Sequence, residues 1–230
     1  MKVAILESII MPAGHEVEFD RILVDELNNQ GHEPCFFVPE KFIFKIDYNA
    51  SVEYLSGGDI VSYAGAGKLK KLWLSIKREH RRIQWFNSAY EKACRGLCDA
   101  IIVPTASFRF IRTLLKSKLK NSPVPVYFIF HGMNHVSYPK FINQAKKCAD
   151  YENIYLRVIT LRNDFENLDI PRLGLVNPPL YKPINFSVDP DLNFEEPLKL
   201  GFFGLFRKEK KLDFLLEAFE KANFKVPVSL

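Results

Sequence analysis

The sequence has no apolar run long enough to span a membrane, no cysteine pairs spaced for zinc and no glycine fingerprint for a dinucleotide, and each absence removes a function class. Only Lys2 precedes the apolar opening Val3 to Leu6, and Glu7 interrupts it before a signal-type apolar segment could form. The expectation is a cytoplasmic protein, with the inner face of a membrane as a place of peripheral contact. Cys35, Cys94, Cys98 and Cys148 form no CxxC units; Cys94 and Cys98, four apart, fit one helix face, and all four read as buried, reduced thiols. The loop Met11-Pro-Ala-Gly14-His15-Glu16 lacks Gly-x-Gly-x-x-Gly, which weighs against a nicotinamide-dependent dehydrogenase. No internal repeat stands out. Charge of one sign is scarce as well: 32 basic against 27 acidic residues leave +5, too mild to imply nucleic acid.

What is present is a globular composition, 47% hydrophobic over 230 residues, enough for one substantial core and part of another. Short apolar, β-rich runs alternate with longer helical patterns, the signature of a parallel α/β sheet. The pattern predicts strands at Lys2 to Leu6, Pro34 to Val38, Asp59 to Tyr63, Asp99 to Val103, Pro125 to Phe130 and Ile154 to Thr160. It predicts helices at Glu16 to Gln30, stopped by Gly31, at Lys68 to Lys92 and at Ser107 to Lys120. The runs at 125–130 and 154–160 are apolar enough to be covered on both faces. From Leu175 to Asp191 prolines accumulate, as in a linker. After it come one strand, one helix and the apolar start of another strand, too little to cover a sheet. The expected fold class is therefore α/β: a Rossmann-like parallel sheet flanked by helices over 1–176, a linker over 177–197, and over 198–230 the first β-α unit of an incomplete second α/β domain. A truncated chain, a split gene product and half of an assembly all fit that stop.

The most specific stretch is Gly201-Phe-Phe-Gly204-Leu-Phe-Arg207-Lys-Glu-Lys210-Lys-Leu, followed by Leu215, Leu216 and Phe219 at helical spacing. A strand that turns at Gly204 into a helix gathers backbone N–H groups and the positive helix end at one point. Arg207 and Lys210 add full charges there, as an anion site requires. The plainer reading is a solvated basic loop. The spacing resembles a motif of GT-B-fold, family-four-like glycosyltransferases, with Lys211 where that family commonly has Gly. The resemblance implies that Arg207 and Lys210, with Gly204, hold the diphosphate of a sugar nucleotide.

Other segments carry the resemblance further. Pro125-Val-Tyr-Phe-Ile-Phe-His131-Gly ends a buried strand with a histidine, and ligands of open α/β sheets bind outside the carboxyl ends of strands. A structural histidine is the alternative. Asp99-Ala-Ile-Ile-Val103 and His131 resemble the family's strands, and by that likeness His131 is the catalytic-site histidine, positioning a sugar hydroxyl or the departing phosphate. Gly14 and His15 match the family's acceptor and phosphate loop; an ordinary turn and helix start is the other reading. His131 and His135 have i,i+4 spacing, but Gly132 favours a loop, and no metal is expected. Asn177-Pro-Pro-Leu-Tyr-Lys-Pro183 is similar to the family's segment before the second domain, in altered order.

Lys68 to Arg82 combines Leu69, Leu72, Trp73 and Ile76, continued by Ile83, with a flank of Lys and Arg nearly free of acid. Packing on the sheet is the plain reading; contact with anionic lipid is the other. Taken together, the resemblance implies a retaining glycosyltransferase, of the kind used in polysaccharide biosynthesis, that moves a sugar from a nucleotide diphosphate sugar to a glycan or lipid-linked acceptor without a cofactor. Alone, this chain is expected to bind donor weakly and turn over little. The competing class is a noncatalytic binding or assembly module that uses the basic helix to hold a membrane or partner subunit, with an oligomer or a complementing second half as further partners.

Overall fold

The computed structural model of the chain describes residues 1–8, 15–44, 46–59, 61, 65, 67–131, 137–159, 168–176, 198–199, 212–222 and 228–229. It divides into two compact units, Met1–Pro179 and Leu180–Leu230. In the first, β1 (Lys2–Leu6), β2 (Glu33–Pro39), β3 (Ser51–Leu55), β4 (Ala100–Ala106), β5 (Val126–His131), β6 (Ile154–Ile159) and β7 (Leu173–Val176) form one sheet in the order β3-β2-β1-β4-β5-β6-β7. Every pair is parallel. The helices are α1 (His15–Asn29), α2 (Lys68–Cys94), α3 (Phe108–Lys116) and α4 (Tyr138–Lys146), with a 3-10 turn at Lys118–Asn121. This is the expected Rossmann-like fold class, a seven-stranded parallel sheet flanked by helices.

The two sheet faces are covered unequally. On one, α2, α3 and α4 bury the main core, where Trp85, Phe86, Phe110, Phe128, Phe130 and Phe141 pack over the centre of the sheet. On the other, α1 and the loop after β2 seal Ile5, Val24, Phe36 and Val38 beneath Leu23, Leu27, Phe42, Phe44 and Tyr48. That second cover lies over the β1 and β2 half and reaches β5 at its carboxyl end, where Phe19 meets His131. Along β5 and β6, Val126, Phe128, Phe130, Ile154, Leu156 and Val158 are buried, while Tyr127, Ile129, His131, Tyr155, Arg157 and Ile159 on the α1 side are only half-buried. Coverage of both faces, expected for these two runs, is thus complete on one face only.

Several boundaries differ from expectation for physical reasons. Of the strand expected at 59–63, Asp59 and Val61 lie outside any strand and residues 60, 62 and 63 lie outside the described residues; the edge strand is Ser51–Leu55 instead. As the sheet edge, β3 exposes Val52 and Tyr54 and reads as polar. Gly57, at φ +128, ends it where a Cβ would stand 2.6 Å from Gln84 Cβ, so the chain there passes hard against α2. The helix expected to run to Lys120 stops at Lys116, and Ser117, buried, donates its hydroxyl to Leu114 O at 2.9 Å. β7 and α4 were not foreseen. Gly31, at φ +73, follows the end of α1 as expected.

The N-terminal half of α2 is the largest departure. Leu69, Leu72, Trp73 and Ile76 were expected to pack on the sheet and are exposed instead. Among the cysteines, Cys94 is exposed and closes α2, so it shares no helix face with Cys98, which follows the helix; Cys35, Cys98 and Cys148 are buried, and all four are free thiols.

In the second unit, β8 (Leu198–Lys199) pairs in parallel with β9 (Val228–Ser229), and α5 (Leu212–Lys221) lies between them in sequence. Asp213 stands in the first turn of α5, where the helix dipole favours an acid.

Burial pushes the Cys98 and Cys148 thiols up to about 12. Below about pH 9 folded and unfolded chains both keep these protons. Above it the unfolded chain releases protons that the folded chain retains, so stability should fall as pH rises from about 9 toward 12, by about 1.4 kcal/mol per pH unit for each thiol. Urea midpoints at pH 8.5 and 10.5 check this, and a Cys98→Ala, Cys148→Ala chain should show a shallower fall. In the native state Cys94 alone should react promptly with a thiol reagent.

Candidate functional site

The order of the strands sets the place. From β1 the chain steps one way through β2 to β3, with α1 on one face; from β4 it steps the other way to β7, with α3 and α4 on the opposite face. Between β1 and β4 the direction reverses, and the carboxyl ends of strands at such a switch point form the ligand crevice of open α/β sheets.

His131 closes β5, one strand from that switch. Its Nε2 lies 2.7 Å from Pro104 O on β4, and a carbonyl can only accept, so Nε2 carries the proton. The imidazole also meets the Phe19 ring of α1 edge-on, with centroids 4.6 Å apart. Two elements therefore fix the ring at a strand's carboxyl end. The neighbouring Thr105 hydroxyl is enclosed and finds no hydrogen-bond partner among the described residues.

Beside it, the carboxyl end of β1 carries buried acid. Glu7 accepts from Ser8 N–H at 2.6 Å through Oε1, and Asp20 is buried on α1. Tyr48 donates to Val17 O at 3.3 Å, and its phenol is pushed up to about 12, first by burial and then by the negative charges of Asp20, Glu7 and Glu18. These residues were not singled out from the sequence. The signals are a charge placed directly after an apolar strand, for Glu7, and a charge inside the apolar arc of Phe19, Leu23, Val24 and Leu27, for Asp20.

Behind Phe19, on the uncovered half of the α1 face, lies a groove of about 490 Å³ lined by Phe19, Ile22, Tyr127, Ile129, Ile159 and Val176. Its lower wall is ordered by Arg157, which lies 5.7 and 5.5 Å from the centroids of the stacked rings of Tyr127 and Tyr155 and donates to Arg172 O at 2.9 Å. The groove is an apolar recess that opens beside a fixed histidine.

The structure brings together His131 and the start of α1, whose first residue is His15. Gly14 lies outside the described residues, as do the side chain of His15 and the residues Gly204, Arg207 and Lys210 of the proposed phosphate turn. His135 also lies outside them. Among the described residues, no three His, Cys, Asp or Glu side chains are grouped to hold a metal ion.

Neither a family profile nor a curated protein matches this sequence. Solved structures do. The glycotransferase of kitacinnamycin superposes with a TM-score of 0.55 at 12% identity, covering 95% of this chain and 62% of its own. UGT2 of Phytolacca americana gives 0.49 at 10% identity over 79% of this chain and 52% of its own, and MurG of Acinetobacter baumannii 0.48 at 12% over 99% and 57%. The chain thus spans just over half the length of these structures. The first likeness establishes the fold: the parallel sheet is that of the N-terminal domain of GT-B glycosyltransferases.

Replacing His131 by Phe keeps an aromatic contact to Phe19 and leaves Pro104 O without its donor. Chemical denaturation should show a loss of about 1–2 kcal/mol. His131→Gln, which retains an N–H donor, should lose less.

Proposed function

We propose that this chain carries the acceptor-side domain and the opening of the donor-side domain of a glycosyltransferase that uses a nucleotide diphosphate sugar. The observation that carries the proposal is the superposition of 95% of the chain on a glycotransferase structure, with a histidine fixed at a strand carboxyl end beside the switch point. In the reaction the bond from the anomeric carbon to the diphosphate breaks, a bond from that carbon to an acceptor oxygen forms, the acceptor hydroxyl gives up its proton, and the nucleoside diphosphate leaves. The largest demand is the charge that grows on the departing diphosphate.

Arg207 and Lys210 meet that demand in the second unit, with Gly204 admitting the phosphates close to the backbone. His131 positions the sugar or acceptor; since its Nε2 proton is committed to Pro104 O, it serves as an oriented dipole rather than as a base at that atom. Gly14 and His15 are assigned to the acceptor side by the resemblance alone. Of the two acceptor classes, the apolar lining of the groove behind Phe19 favours a lipid-linked one over a bare glycan. Retention of anomeric configuration belongs to the resembled family and enters the proposal on that ground. No resident cofactor is needed, since the donor is the substrate.

A second reading is favoured by one observation, the exposed apolar face of α2: a noncatalytic module that contacts a membrane or a partner subunit.

Calorimetry with UDP and GDP separates the two. The chain should bind one of them weakly, and an Arg207→Ala, Lys210→Ala variant should bind it at least about tenfold more weakly. If neither nucleotide binds to the unaltered chain, the donor assignment falls and the noncatalytic reading stands.

A further inference from the structure

Between Lys68 and Arg82 the sequence holds seven Lys and Arg residues and one acid, Glu79, so this segment carries +6. The whole chain carries +5, which leaves the remaining residues at −1. The basic character of the protein is therefore the property of a single stretch of α2.

That stretch is built unlike the rest of the helix. Trp85 donates its indole N–H to Gly58 O at 2.9 Å, Arg81 binds Gly57 O, and Ser88 accepts from Ser56 N–H at 3.0 Å, which fixes residues 81–88 against the turn that closes β3. From that anchor the helix continues N-terminally for about 20 Å. Along this length, among the described residues, Leu74, packed with Val61, is the one buried apolar side chain.

Leu69, Leu72, Trp73 and Ile76 are exposed by 87%, 65%, 59% and 64%. At 100° per residue they fall within an arc of about 100°, on the side of the helix opposite Leu74 and Trp85. The stripe thus points away from the body of the unit. Exposed Lys70 and Lys77 border it, and the Lys77 ammonium lies 5.2 Å from the centroid of the Trp73 ring. Glu79 does not dilute this charge. Burial pushes its carboxyl up, but hydrogen bonds and charge from Lys116 and Arg112 of α3 outweigh burial and hold it below the usual range. The acid is neutralised by another helix, and the cations of α2 keep their field.

We infer that the N-terminal half of α2 is a docking surface for an anionic lipid bilayer, with Leu69, Leu72, Trp73 and Ile76 entering the interface and the flanking lysines engaging lipid phosphates. An apolar arc bordered by cations matches the layering of a membrane surface, apolar within and anionic outside. Nucleic acid would ask for cations without protruding leucines, and a protein interface for fewer lysines at its border. The inference stands on α2 alone and does not depend on the donor assignment.

The test uses the two tryptophans. Trp85 is buried, so a change in emission on adding vesicles reports Trp73. The full chain should sediment with vesicles containing phosphatidylglycerol and not with pure phosphatidylcholine, and its tryptophan emission should shift to the blue only with the former. Added salt should weaken the binding. Lys70→Gln with Lys77→Gln should lower the partition coefficient by about thirtyfold. Leu72→Ser with Ile76→Ser should abolish the blue shift while leaving the melting temperature unchanged. The proposal is overturned if vesicle binding is absent, if it ignores lipid charge, or if both variants bind as the unaltered chain does. It is equally overturned if α2 instead binds an oligonucleotide, or covers its stripe in a dimer seen by sedimentation velocity, with no vesicle binding.

Discussion

A parallel strand pair joined through a helix takes a right-handed crossover, and that one constraint assigns every helix of the first unit to its face. Strands that step from β1 toward β3 place α1 on one side; strands that step from β4 toward β7 place α3 and α4 on the other. The switch between β1 and β4, the half-open α1 face of β5 and β6, and the exit of His131 beside Phe19 are all consequences. A helix after β4 on the α1 side would close the groove and break the crossover rule. The candidate site therefore arises from topology first and from side-chain chemistry second.

The helix α2 shows how one periodicity serves two ends. Trp85, Phe86, Ala89 and Ala93 recur at helical spacing and bury against β2 to β5. Leu69, Leu72, Trp73 and Ile76 recur at the same spacing, rotated to the opposite side. Periodicity records that a helix has an apolar face but not which body covers it. The cations do carry that information, because Lys70 and Lys77 beside an apolar arc would be costly to bury.

The fold class was legible because its signal is redundant. Buried strands at 2–6, 34–38, 99–103 and 125–130 each stand as a run of Val, Ile, Phe or Ala between helical patterns. The edge strand Ser51–Leu55 was not, since an edge has one neighbour and tolerates Glu53 and exposed Tyr54. β7 escaped for a like reason: it is four residues long, at the other edge, beside prolines that draw attention to a linker. His131 was legible as the last residue of an apolar run. Glu7 and Asp20 were less so, because the one signal each carries, a charge directly after an apolar strand or inside an apolar arc, becomes burial only once the fold encloses it.

The charges divide the proposed reaction between the two units. Glu7, Asp20 and Glu18 stand about Tyr48 near the carboxyl end of β1, where burial first and their charge second raise its phenol. A diphosphate brought to that end would meet buried negative charge in a medium of low dielectric, where repulsion is poorly screened. On the proposed reading the first unit takes the uncharged sugar hydroxyl, which His131 orients. On that reading the diphosphate needs cations and backbone N–H groups from elsewhere, and in sequence Gly204, Arg207 and Lys210 fall between β8 and α5. Acceptor on one unit and donor phosphates on the other follow from this charge segregation, on the proposed reading, without appeal to the fold.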